Sequence, residues 1–313
     1  MNHRAVSLAL LGGALLAAPA GAQETHRVEI SAVETDVPID NSGNMRHMWT
    51  FDGAVPGPVV RVRQGDTVDF RLHNDSESQE SHSMDFHAAR VDVLEEFAEV
   101  SPGESKEYTF TADYPGVFIY HCGADAMSEH IARGMYGVII VDPAEGYSEQ
   151  YPEPDREYVL VQGDLFEAGS SPDAITMGRN WEASLINGKV FHYSPVHDPN
   201  ASLVLEGKPG ERVRIFYVNA NVNESAALHP IAGIWDRVWD NGNPKNVRHG
   251  MQTVEVPPAH GAVFDLVAPD DRPTNNAIVD HRMRHALNGA VSVIMFHDDA
   301  DPDLGRGDKL TPR

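Results

Sequence analysis

Short apolar or alternating runs, broken by turn-forming residues, fill most of this chain. "TVDFRLHN" (67–74) sets Val68, Phe70 and Leu72 against Asp69, Arg71 and His73, the period of two that strands require. "EYTFTA" (107–112) alternates in the same way. "GVFIYH" (116–121) and "GVIIVD" (137–142) are almost wholly apolar over strand length. Gly, Pro, Asn and Asp separate the runs about every eight to twelve residues, the punctuation of a sandwich or barrel. Convincing amphipathic helices are scarce, so the pattern predicts an all-β protein.

The pattern also occurs twice. "RVRQGDTVDFRLHN" (61–74) is echoed by "LEGKPGERVRIFYVNA" (205–220), "EVSPGESKEYTFTA" (99–112) by "EVPPAHGAVFDLVA" (255–268), and "GMYGVIIVD" (134–142) by "NGAVSVIMFH" (288–297). Three echoes in one order predict two tandem copies of one β-sandwich, over 23–145 and 156–313. Between them, 146–155 belongs to an acidic, Pro-containing stretch anchored by aromatic residues, and is expected to be a linker. Ahead of both copies, Arg4, a Leu/Ala-rich run and Ala20-Gly21-Ala22 match an export signal cleaved after residue 22. That run is too short and too interrupted for a comfortable membrane span. No later segment is apolar for long enough, so no membrane span is expected once the signal is removed.

Composition narrows the function classes. The formal net charge is −23, from 47 acidic and 24 basic residues, a field that repels nucleic acid and anionic membrane surfaces. It suits a basic protein partner, or equally a salty medium. Cys122 is the single cysteine, so an exported protein of this sequence has no internal disulfide and its thiol is a liability unless it has a task.

The residues around Cys122 supply a task. "YHCGADAMSEHIARGM" (120–135) follows an earlier "ESHSMDFHAA" (80–89). His82, Cys122, His130 and Met135 together are the donor set of a blue copper site, two imidazoles and a thiolate with a weak axial thioether. A structural zinc site would more often show two or more cysteines. His121 precedes Cys122, and adjacent strand residues face opposite ways. If Cys122 points inward, His121 points outward, where His87 can join it at a second metal. His281 is a plausible third imidazole from the second copy, at the position that the echo pairs with the His-Cys end of the first. His285, four residues later, is its rival.

The segments "HSMDFHA", "IYHCG", "HIARGMYGVIIV", "EYVLVQGD", "INGKVF" and "LHPIAGIWDRVW" carry a resemblance to the two-domain copper-containing nitrite reductases of bacterial periplasms. It covers essentially the whole mature sequence and points to the subgroup with a short loop between the copper cysteine and the next histidine. The resemblance implies two tandem cupredoxin-like Greek-key β-sandwich domains holding two copper ions per subunit. The type 1 ligands would be His82, Cys122, His130 and Met135, and the type 2 ligands His87, His121 and His281. It further implies a periplasmic homotrimer in which His281 reaches the neighbour's site. Asp85 and His229 match the family's acid/base pair, and Ile231 the apolar residue shaping the substrate pocket. Nitrite would be the substrate, with a small c-type cytochrome or another cupredoxin as electron donor. Arg90, Pro230 and the extra His285 depart from the family pattern without removing a ligand. A laccase-like multicopper oxidase would need His-x-His pairs, whereas Gly123 follows Cys122 and no such pair lies near His82 or His281. An electron carrier with an idle second site would leave the His87, His121, His281, Asp85 and His229 set without a purpose.

Overall fold

The computed structural model describes residues 23–307 and 309–311; the expected export signal lies outside them. The first half contains β1 (Thr25–Pro38), β2 (Met45–Phe51), β3 (Val59–Arg63), β4 (Thr67–Asn74), β5 (Asp85–Phe86), β6 (Ser105–Thr111), β7 (Gly116–His121), α1 (Met127–Ala132) and β8 (Tyr136–Asp142). These strands form two four-stranded sheets, β2-β1-β4-β6 and β3-β8-β7-β5. The second half runs through β9 (Arg156–Phe166), α2 (Pro172–Thr176), β10 (Trp181–Ile186), β11 (Leu205–Gly207), β12 (Arg212–Asn219), β13 (Ala226–Ile231) and β14 (Trp235–Asp240). It ends with β15 (Val247–Met251), β16 (Val254–Val256), β17 (His260–Val267), β18 (Thr274–Asp280), α3 (Met283–Ala286) and β19 (Val291–Phe296). Its sheets are β10-β9-β12-β17-β14-β15 and β11-β19-β18-β13-β16. The all-β, tandem-sandwich expectation holds, and among the described residues the helices are single short turns.

The echoes in the sequence correspond to repeated pairings. β1 runs parallel to β4 and β4 antiparallel to β6; β9, β12 and β17 repeat both relations. β3 lies parallel to β8, as β11 does to β19. Even individual hydrogen bonds recur. Asn74 closes the end of β4 by donating through Nδ2 to the Glu80 and Val100 carbonyls, each at 2.9 Å. Asn219 does the same at the end of β12 with Glu224 and Val256, again at 2.9 Å. A buried amide that bonds two carbonyls at once is hard to replace.

Each sandwich has its own core, and a third apolar layer joins them. Phe70, Phe86, Phe110, Phe118 and Tyr120 fill the first core, and Tyr217, Trp235 and Phe264 the second. In the layer between, Val117 and Ile119 of β7 meet Val159, Phe216 and Val263. Strand β7 is therefore buried on both faces, which accounts for its unbroken apolar sequence. Odd-numbered residues face the second sandwich and even-numbered residues the first core. Gly261 stands where β17 crosses the Val117 carbonyl, leaving no room for a side chain. The segment between the sandwiches is docked, not loose. Tyr151 is buried against Trp239, with the Arg214 guanidinium 4.0 Å above its ring.

Candidate metal centres

The even face of β7 delivers Cys122 into the first sandwich, where it meets His82 and His130. All three side chains are buried. Cys122 Sγ lies 3.2 Å from His130 Nδ1 and 4.0 Å from His82 Nδ1, and the two nitrogens are 3.3 Å apart. A circle through atoms so spaced has a radius of about 2.1 Å, matching nitrogen–metal bond lengths of about 2.0–2.1 Å. The three donors are thus spaced to hold one small ion.

The backbone around them is locked. Cys122 N–H donates to the Met135 carbonyl and Met135 N–H to that of His130, both at 3.1 Å. This turn brings Met135, buried like Cys122, into the same core cluster. Ser83 donates its N–H to Cys122 Sγ (3.2 Å), and its Oγ accepts the Gly123 N–H (2.9 Å). The Trp49 ring covers His130 at 4.6 Å and His82 at 5.7 Å.

The far nitrogen of each imidazole is also engaged. His82 Nε2 faces Glu34 Oε1 at 3.3 Å, and His130 Nε2 faces the Asp125 carbonyl at 3.1 Å. Both contacts favour the proton on Nε2 and leave the Nδ1 lone pair for a metal. Burial pushes His82 down to about 4 and lowers His130, so both are neutral, the ligating form, at ordinary pH. Burial pushes the Cys122 thiol up to about 11. A cation in the triangle would displace that proton.

On the odd face of the same strand His121 points the other way. Its Nε2 is 3.0 Å from His87 Nε2, and Asp85 Oδ2 is 3.9 Å from both. Donation from His121 Nδ1 to the Cys122 carbonyl (2.9 Å) aims the other nitrogen at His87. His87 also bonds the main chain of Ala259 in the second sandwich, and burial and then His121 lower its pKa. A single chain thus supplies two imidazoles and one carboxylate at this point.

His229 and His281 do not join that cluster within the chain. Their rings lie 5.6 Å apart, His229 on β13 and His281 just past the end of its partner β18, and His229 Nδ1 donates to the Gln252 carbonyl at 2.7 Å. His281 is exposed, as are Ile231, Met283 and Leu287 on the same part of the second sandwich.

His285 is buried and belongs to a different arrangement. Asp280 N–H donates to the Ala290 carbonyl (3.2 Å), Ala290 N–H to that of His285 (3.0 Å), and Ala227 N–H to Asp280 Oδ1 (2.8 Å). These bonds reproduce the lock around Cys122. Ala226, Asp280, His285 and Ala290 therefore stand where the first sandwich has His82, Cys122, His130 and Met135, and His281 falls one residue beyond the cysteine's position. Asp280 Oδ2 bonds His285 Nδ1 directly at 2.5 Å, closing the space that the first sandwich leaves for an ion. Burial would raise the Asp280 pKa, but His285, Gln162 and the Ala227 and Arg282 N–H groups hold it below its ordinary value. Its contribution to stability is then present above the ordinary carboxylate pKa and lost as pH falls through the lowered one. Asp280→Ala should cost about 3–5 kcal/mol at pH 7, a gap that closes in acid. Urea unfolding of the metal-free protein at pH 7 and pH 3 measures it.

The sequence reading missed Glu34, Ser83, the Asp125 carbonyl and Ala259. A signal existed for Glu34. It shares the inward register of β1 with Ile30 and Ala32, and an acid in that register needs a partner.

Comparisons with known proteins are consistent with this geometry. Residues 33–146 match the family model described as "Multicopper oxidase". The copper-containing nitrite reductase of Neisseria meningitidis serogroup A is 33% identical over 285 residues, covering 89% of this chain and 71% of that protein. A solved copper nitrite reductase from Nitrosomonas europaea is 56% identical with a TM-score of 0.89, covering 92% of this chain and all of that one. A solved Cu-containing nitrite reductase from Thermus scotoductus SA-01 is 29% identical with a TM-score of 0.78, covering 90% and 63% respectively.

Proposed function

Because the chain belongs to the copper-containing nitrite reductases, we propose that it divides one reaction between two copper ions in each subunit. The protein is a copper enzyme that reduces nitrite, taking one electron and two protons and releasing nitric oxide and water. His82, Cys122 and His130, with Met135 as the weak axial donor, would hold the type 1 copper, which accepts electrons. His87 and His121, with His281 of a neighbouring subunit, would hold the type 2 copper, leaving an open position for nitrite.

The observation that carries this reading is the junction of the two clusters at one peptide bond. Cys122 enters the first cluster and its neighbour His121 the second, so electrons have a short covalent path between them. Asp85 faces both imidazoles of the second cluster from 3.9 Å, a separation suited to an intervening ligand. His229, fixed through Nδ1, keeps Nε2 available for proton transfer. Ile231 would shape the pocket beside it.

Assembly follows from what one chain lacks. One face offers Asp85, His87 and His121, and a different face offers His229, His281 and exposed Ile231, Met283 and Leu287. Two different faces meeting head to tail generate a ring, not a two-fold dimer, which supports the homotrimer. Among the described residues no helix is long and apolar enough to cross a membrane. Together with the export signal read over residues 1–22, this agrees with a periplasmic enzyme. The net charge of −23 suits an electron donor with a basic face, either a small cytochrome or a cupredoxin.

Copper analysis with visible and EPR spectra tests the proposal. Two coppers per chain are expected, one blue and one not, in a particle three times the chain mass that turns nitrite into nitric oxide. One copper per chain, or a monomer, would overturn it. Met135→Leu should retain copper but shift its colour and potential, because the axial donor tunes both; an unchanged spectrum would count against Met135 as a ligand.

A further inference from the structure

We propose that Glu34 is a positioning residue of the blue copper site, orienting His82 and holding its copper in the oxidised form. The inference rests on the type 1 assignment above. Of the imidazoles in the two clusters, His82 is distinguished by a carboxylate at hydrogen-bond distance from its far nitrogen. Cys122 and Asp125 offer main-chain carbonyls to His121 and His130, and Ala259 its main chain to His87. The Glu34 side chain is only 6% exposed. Its Oε1 accepts the N–H groups of Gln79 (3.0 Å) and Glu80 (2.9 Å) and faces His82 Nε2 at 3.3 Å. One oxygen therefore anchors the loop carrying His82 and directs that ring.

The second sandwich separates these two tasks. β1 pairs Ala32 with Asn74, and β9 pairs Gln162 with Asn219. Two residues further on lie Glu34 and Asp164. Asp164 anchors its loop through the Val222 N–H (2.9 Å) and accepts Trp181 Nε1 (2.8 Å). The Asp164 position thus anchors a loop that, among the described residues, adjoins no cluster of metal-ligating side chains like that around Cys122. In the first sandwich the longer Glu34 also reaches an imidazole. A carboxylate on the proton of a ligating imidazole makes the ring a stronger donor, and a buried negative charge favours the more positive metal ion.

Glu34→Gln keeps an acceptor oxygen for the two loop N–H groups but removes the charge. In the copper-loaded protein it should stay blue, bind copper(II) roughly 10–100-fold more weakly, and raise the fraction of reduced copper at a fixed reductant ratio. Asp164→Asn, measured alongside, should change neither quantity. If the Gln variant does not fold, Glu34→Ser with the same readouts takes its place. A blue variant with wild-type affinity and wild-type redox balance overturns this inference alone. A colourless wild-type protein overturns the type 1 assignment and this inference with it.

Discussion

Replacing Cys122 by alanine should abolish the blue absorption, remove one of the two proposed coppers and reduce nitrite turnover with a protein donor to background. The thiol is one of three donors in the triangle, and two imidazoles with a thioether cannot reproduce the thiolate bond that gives a blue site its colour. The fold should survive. Removing one sulfur from a packed core costs about 1 kcal/mol, and the Cys122 N–H and carbonyl, which bond Met135 and His121, remain in alanine. For the same reason the second copper should stay, because His121 is oriented by that main-chain carbonyl. Copper analysis, the visible spectrum and donor-driven turnover check the three parts. A variant that stays blue, or turns over normally, would refute the assignment of the thiol.

Asp85→Ala and His229→Ala should each cut turnover by roughly 10²-fold or more, as removal of a proton-transfer group does, while leaving the blue spectrum unchanged. Neither side chain belongs to the Cys122 cluster, so the spectrum separates lost proton delivery from general damage. Subunit mixing gives a sharper test. If His229 acts on a neighbour's Asp85, trimers reassembled from the two inactive variants contain some interfaces with both residues intact. They should regain activity that neither parent shows. No recovery in verified mixed trimers would place both residues in one chain's site and count against the head-to-tail arrangement.

Much of this organisation was legible in the chain because it follows from local rules. Strand alternation depends on a backbone period of two, so β4 and β7 could be bounded to the residue. The same period puts Cys122 and His121 on opposite faces of β7's continuation. The repeat was visible because both copies need the same turn residues and inward positions. The donor types around Cys122 lie within fifteen residues of it, apart from His82, and metal chemistry restricts what such a set can hold.

Other features depended on how the sheets stack, which local pattern does not encode. Glu34 meets His82 across 48 residues of sequence, and its alternation marks only an inward acid, not its partner. The sequence favours His281 as the third imidazole but leaves His285, four residues later, as a rival. Their roles separate because α3 turns His285 into a buried bond with Asp280, where the first sandwich has Cys122 and His130, while His281 is left on the surface. Spacing along the chain constrains which side chains share a face. Which of them touch is set by the packing of one sheet on another, and that packing is a property of the whole fold.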